Sequence, residues 1–387
     1  MLINPYILGG GVPTPAGAVG FWRGENNAND QLGAYNATVG ANTAFTTGHL
    51  GQAFLLDGTN ASKITVPTIN AGGTYSIELW VYRTSTVTTA RHLVSNAYTS
   101  ASNYGALYVD SNHAVVYYRN GVSTVVTAAN VIPVNTWVKV LLTYDGSKSR
   151  IWINDLPLVS EVSTHTETWN NACCFGQAVS NESAAWVGRL DEIVLYNTVV
   201  RPINGLFLHY AGENNTNDTM GRLNATAGAG TSYATGQSGQ GFSFSGTSNQ
   251  AVTIPSIFLD NVYSIDFQMK PSGASGGFVH TISNSWSSSN YGALYYDSGN
   301  KLVYYQGSSA RATSANSVIT SGSWNRVTIT YDGSKTRLYV NGTLVATESG
   351  THSETYNNQC KIGYGGESNT FSGVIDEVKF YNTLILP

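Results

Sequence analysis

VKVLLTYDGSKSRIWINDLPLV, from Val138 to Val159, holds two apolar, β-rich runs joined by an Asp-Gly turn. A second turn signal follows at Asn154 and Asp155. Short apolar runs punctuated by such turns predict a three-stranded antiparallel meander. The pattern recurs as RVTITYDGSKTRLYVNGTLVA, from Arg326 to Ala346, with Asn341-Gly342 at the second turn.

Working outward, the whole chain is written twice. NYGALYVD (Asn103 to Asp110) meets NYGALYYD (Asn290 to Asp297), and THTETWNN (Thr164 to Asn171) meets THSETYNN (Thr351 to Asn358). GRLDEIVLYNT (Gly188 to Thr198) meets SGVIDEVKFYNT (Ser372 to Thr383), and GENNANDQLGAYNAT (Gly24 to Thr38) meets GENNTNDTMGRLNAT (Gly212 to Thr226). Solenoid repeats are far shorter, so this spacing means duplicated domains. The expected boundaries are a leader at 1–19, a first domain at 20–200 and a second at 206–387. SIELWVYR, AVVYYRNG and EIVLYN supply further strands, and convincing amphipathic helices are missing from the pattern. The expected fold is all-β, with one two-sheet antiparallel sandwich per copy.

Only 11% of the 387 residues are charged, the net charge is -4, and no Lys/Arg-rich run occurs. Nucleic acid is therefore not an expected partner. No apolar run has the length of a membrane-spanning helix, so no membrane partner is expected either. The first 22 residues contain no Lys or Arg, which makes a poor secretory signal. Cys173, Cys174 and Cys360 are an odd set, expected as buried thiols in a chain that folds in a reducing cytosol.

Taken in order, GENNANDQLG, GQAFLLDGTN, YSIELWVYR, NTWVKVLLTYDGSKSRIWIND and GRLDEIVLYN resemble the laminin-G-like, concanavalin A-like lectin/glucanase jelly roll. The resemblance covers both copies and implies two curved sheets per domain. It leaves function open, because the family includes sugar-binding modules, adhesion domains and enzymes.

In LDEIVLYN, plain alternation puts Asp191, Ile193 and Leu195 on one face; in IDEVKFYN it groups Asp376, Val378 and Phe380. A carboxylate beside core residues needs a partner. The repeated loops each offer one aspartate, Asp30 or Asp218, among asparagines that include Asn27 and Asn215. Calcium takes six to eight oxygen ligands of these kinds, and in the resembling family the first loop and last strand often hold a structural calcium. One calcium per domain is the expectation, bridging Asp30 to Asp191 and Asp218 to Asp376. The competing account is that Asn, Asp and Gly simply cap one another's turns.

The glucanase members carry alternating carboxylates on one strand. That E-x-D-x-x-E pattern is missing here, so an enzyme is not expected, and His165 and His352 read as parts of a surface turn. Sugar binding is open to aromatic side chains in loops: Tyr98, Trp169, Trp286 and Tyr356 are the candidates. Trp22, Trp80, Trp137 and Trp324 fall in strand-like runs and are expected in the core. The opening MLINPYILGGG resembles the N-termini of tailed-phage structural proteins, with Ile3 to Leu8 as an anchor and GGGVPTPAG as a spacer. That combination points to a virion structural protein, decorating a capsid or belonging to a fibre or tail attachment. It would fold in the host cytoplasm, meet other virion proteins through residues 1–19, form a homo-oligomer and face cell-surface glycans. The alternative is a secreted bacterial carbohydrate-binding or adhesion module, working extracellularly.

Overall fold

The structure is a computed structural model. It describes residues 14–387 apart from 97–104, 120–121, 162, 179–183, 201–204, 248–249, 258, 260–261, 274–276, 285–291, 308, 355, 357–358 and 365–369. Most of the leader, together with Tyr98 and Trp286, lies outside the described residues. The chain divides between Arg201 and Pro202 into two compact units, domain 1 and domain 2.

Domain 1 contains β1 (Ala18–Trp22), β2 (Thr38–Val39), β3 (Ala44–Thr47), β4 (Gln52–Asp57), β5 (Ile64–Val66), β6 (Tyr75–Arg83), β7 (Arg91–Asn96), β8 (Gly105–Val109), β9 (Val115–Arg119) and β10 (Val122–Val126). It continues with β11 (Trp137–Tyr144), β12 (Ser149–Ile153), β13 (Leu156–Ser160), β14 (Cys173–Phe175) and β15 (Val187–Tyr196). One sheet has the order β13-β12-β11-β6-β15-β4-β3, with β1 also paired to β15, and the other runs β10-β9-β8-β7-β14-β5-β2. Every pairing in both sheets is antiparallel. Domain 2 repeats both sheets with the same strand orders, and no α-helix occurs among the described residues.

The meander forms as its turns dictate. Asp145 Oδ1 accepts the Ser147 and Lys148 N–H groups at 3.0 and 2.8 Å and closes the β11–β12 loop. Asn154 and Asp155 both take positive φ, 49° and 70°, the left-handed pair a two-residue hairpin turn requires. In domain 2 Asn341 and Gly342 do the same at 50° and 81°.

The core lies between the sheets. Ile77, Leu79 and Val81 from β6, Val138, Val140 and Leu142 from β11, and Phe175 from β14 all belong to one buried cluster. Trp169 joins it from the chain between the sheets: its backbone N–H donates to the Gly72 carbonyl and its ring meets Tyr75 edge-on at 5.0 Å. Trp169 and Tyr356 are 2% and 3% exposed, so neither is a loop aromatic open to a ligand. They are part of the two buried interiors, because a large ring in an irregular segment buries as much apolar area as one in a strand.

At the other end of the sequence order, Ser76 ties off the domain. Its Oγ donates to the Thr198 carbonyl and accepts from the Val200 N–H, both at 2.8 Å. Ser264 does the same in domain 2, to the Thr383 carbonyl at 2.8 Å and from the Ile385 N–H at 3.1 Å.

Candidate functional site

The repeated loop is a backbone latch. Asp30 Oδ1 accepts the N–H groups of Phe21 and Leu32 at 2.9 and 3.0 Å, and Oδ2 accepts those of Ala34 and Tyr35 at 3.1 and 2.9 Å. Asn36 Oδ1 accepts the Asp30 N–H, Asn27 Oδ1 accepts the Asn29 N–H, and Glu25 Oε2 accepts the Gln52 N–H. Asp218 repeats the set with His209, Met220, Arg222 and Leu223, and Asn215 Oδ1 accepts the Asn217 N–H. Four N–H dipoles converge on each aspartate, with their positive ends where a cation would have to sit. This donor set fits an anion held by backbone amides, not a calcium shell, and no group of three His, Cys, Asp or Glu among the described residues could hold a metal.

Asp191 also departs from expectation, and the reason is a bulge. The register between β15 and β6 shifts between Asp191 and Val194, with Glu192 at φ 46°. Leu190, Ile193 and Leu195 therefore face the core, whereas Asp191 shares the opposite face with its register partner Trp80. Asp376 sits on the corresponding face beside Gln268, with Glu377 at φ 54°. Asp191 is fully buried because the turn between β3 and β4 folds over it. Its Oδ2 accepts the His49 and Leu50 N–H groups at 2.7 and 3.0 Å, and Oδ1 accepts the Glu192 N–H at 2.8 Å. A side chain at Gly48 would meet Asp191 Oδ2 at 2.5 Å, so the turn needs glycine there. Burial pushes the Asp191 carboxyl up to about 7, against the pull of the N–H donors of Leu50, Glu192 and His49.

The held turn lays a histidine on a tryptophan. The His49 and Trp80 rings stack with centroids 3.5 Å apart at 16°. Burial, and then the charge on Lys139, lowers the His49 pKa, which keeps the ring neutral. On the outer face of β11, β6 and β15, two cross-strand rows run side by side: Trp137–Tyr82–Arg189 and Lys139–Trp80–Asp191. Trp137 lies 5.2 Å from Tyr82 and 6.0 Å from His49, and the Arg189 guanidinium sits 4.7 Å over Tyr82. Arg189 Nη1 also donates to the Thr47 carbonyl at 3.0 Å, so Arg189 and Asp191 grip the same turn. Trp80, Tyr82 and Trp137 are half-buried and His49 is exposed. Trp80 and Trp137 are thus surface residues, not the core residues their place in strands implied, while Trp22 is fully buried as expected.

Domain 2 lacks this cluster. Its rows hold Gln268 beside Asp376 and Arg326, and Lys270 beside Val374, and the turn residue on Asp376 Oδ2 is Gln237. Trp324 alone keeps its aromatic character there, half-buried.

A second constellation, repeated in both domains, is internal. Glu167 accepts from the Tyr75 hydroxyl, from the Tyr117 hydroxyl at 2.8 Å, and from Arg119 Nε at 2.8 Å. His165 stands between Glu161 at 2.6 Å and Glu167 at 3.5 Å. In domain 2 Glu354 takes Tyr263 and Tyr304, and His352 stands 2.7 Å from Glu348 and 3.3 Å from Glu354. THTET and THSET are therefore not surface turns: they deliver a buried carboxylate and its histidine. Burial works against protonation of both histidines, but the facing carboxylates outweigh it and raise their pKa. The signal was available, since Glu161, His165 and Glu167 recur at identical spacing in a chain with few charges. Burial drives the phenols of Tyr75, Tyr117, Tyr263 and Tyr304 far above their ordinary value, so these hydroxyls stay protonated donors.

The chain is similar to several solved structures. Domain 4 of AbnA, an extracellular arabinanase from Geobacillus stearothermophilus solved with arabinotriose, is 21% identical over 46% of this chain and 93% of its own, with a TM-score of 0.40. The binding domain of Paraclostridial Mosquitocidal Protein 1 is 13% identical over 86% and 91%, at 0.41. The mouse laminin α1 chain domains LG4-5 are 11% identical over 95% and 90%, at 0.28. No curated protein matches. The sequence profile described as the concanavalin A-like lectin/glucanases superfamily matches residues 56–202 and again 245–387. With a two-sheet antiparallel sandwich observed over each of those stretches, the chain belongs to the concanavalin A-like lectin/glucanases superfamily and carries its fold twice.

Proposed function

We propose that the chain is a non-enzymatic carbohydrate-binding protein and that domain 1 makes the contact through the outer-sheet cluster of His49, Trp80, Trp137 and Tyr82. The observation that carries this is the aromatic cluster itself, built in one domain and not in the other. Aromatic rings at a surface present flat apolar area to the C–H face of a pyranose, while neighbouring polar groups take its hydroxyls. A non-enzymatic role is supported by burial around His165 and His352: Glu161, Glu167 and Glu348 are 5–8% exposed and engaged by N–H, O–H or guanidinium groups.

Glycan-array binding of the full-length protein tests this. Binding that falls about tenfold in Trp137→Ala, a loss of about 1.4 kcal/mol, supports the reading when the melting temperature is unchanged. Binding to no saccharide, or measurable turnover of one, overturns it.

The carrier we propose is a virus particle. Cys173, Cys174 and Cys360 are free and buried, which suits folding in a reducing host cytosol before release. Electron microscopy of particles lacking the protein tests the carrier: lost surface density supports it, and unchanged particles reject it. Appearance in culture supernatant without lysis would favour a secreted bacterial module instead.

A further inference from the structure

We infer that the saccharide taken by the domain 1 cluster is acidic, with Arg189 receiving its carboxylate; this rests on the function proposed above. The cations of domain 1 seen in ion pairs are Arg23, Arg119, Lys139 and Arg150, each facing Asp or Glu at an acidic oxygen. Arg189 has a different set of contacts. One N–H goes to the neutral Thr47 carbonyl, the plane rests over Tyr82, and no carboxylate lies within ion-pairing distance among the described residues. Its Nε is buried without a hydrogen-bond partner. The guanidinium is thus fixed in orientation from two sides while its charge stays uncompensated. A planar fork in that state matches a carboxylate, which it can bind through two parallel N–H donors.

The surroundings favour the same ligand. His49 beside it is neutral, and Lys139 is already engaged by Asp155 and Glu78, so Arg189 supplies the positive charge of the cluster. The protein carries a net charge of -4, so no general field attracts anions, and an acidic ligand must be recognised by a local group. In domain 2 Val374 occupies the Arg189 position and Lys270 that of Tyr82, so the guanidinium resting over an aromatic ring belongs to domain 1. A protein partner fits less well. The exposed large apolar side chains among the described residues of domain 1 are Val39, Val126 and Val134, too few for the apolar centre of a protein interface.

The test uses the full-length protein and two probes of one backbone, oligogalacturonate and its fully methyl-esterified form, with affinities measured by calorimetry. The free acid should bind about tenfold more tightly than the ester. Arg189→Met should abolish the difference in affinity between acid and ester, and Arg189→Lys should recover part of it. The preference should also shrink as salt is raised. Amide exchange across 44–57 confirms that the turn remains folded in each variant. Equal affinity for acid and ester, or equal weakening of both by Arg189→Met, overturns the acidic preference and leaves saccharide binding standing. Failure of both probes and of every glycan on the array, with a Trp80-dependent protein contact instead, overturns the function as well.

Discussion

The two domains bury the same carboxylate in different company. Glu167 faces two tyrosines, a histidine and the Arg119 guanidinium; Glu354 faces two tyrosines and a histidine, and Gln306 stands where Arg119 would be. Gln306 instead accepts a hydrogen bond from Arg311 at 3.0 Å. Two hydroxyl donors and a histidine accompany the carboxylate in either sandwich. The permanent cation is a separate addition, so removing the carboxylate strands a charge in one domain only.

The largest effect expected from this comparison is in Glu167→Ala, which leaves a guanidinium and two phenols without their acceptor. A loss of about 3–5 kcal/mol is expected. Glu354→Ala leaves hydroxyls and a histidine that can turn neutral, and about 1–3 kcal/mol is expected. Denaturant unfolding of the full chain, with amide exchange to separate the domains, measures both; equal losses would break the comparison.

The next test uses sites where the domains agree. Asp30→Ala and Asp218→Ala each strip an acceptor from four backbone N–H groups and should cost a similar amount, about 3 kcal/mol. Because those amides fill the carboxylates, chelator or added calcium should leave the melting temperature where it was. A calcium-dependent rise would show that the loops bind the ion after all.

The smallest effect is in pH. His165 and His352 have pKa values raised above the ordinary histidine value of about 6.5. Their stabilising contribution is therefore complete below that value and is lost as pH rises through the folded-state pKa. Glu167 has the Arg119 guanidinium beside it as well as its histidine, whereas Glu354 loses its cation when His352 deprotonates. Amide exchange in domain 2 should quicken first as pH is raised from 6 to 9; simultaneous loss in both domains would count against the pairing described here.

Strand content and duplication were legible in the sequence because turns carry strong local chemistry. Asp145 caps its own loop, and Asn154 and Asn341 accept the positive φ their turns demand. The face of Asp191 was not legible, since it depends on Glu192, a residue with no intrinsic taste for the left-handed region, sitting in a bulge. The outward tryptophan was readable: in SIELWVYR, Trp80 alternates out of phase with Ile77, Leu79 and Val81, and membership of a strand says nothing about which side is wet. Trp169 and Tyr356 were misplaced for the opposite reason, because irregular backbone can still carry a ring into the core. The Glu167 network needed the fold itself, since it joins Tyr75, Tyr117 and Glu167 from three separate parts of the chain.

The serine tie at the end of each sandwich has an evolutionary side. β1 lies antiparallel to β15, so Ala18 is opposite Tyr196, and Ser76 then fastens the chain just beyond. Entrance and exit of the unit are neighbours, and its last strand is secured from within. A gene segment encoding such a cassette can be copied end to end without inventing a linker, and the same layout should tolerate new termini cut into a surface turn with the old ones joined.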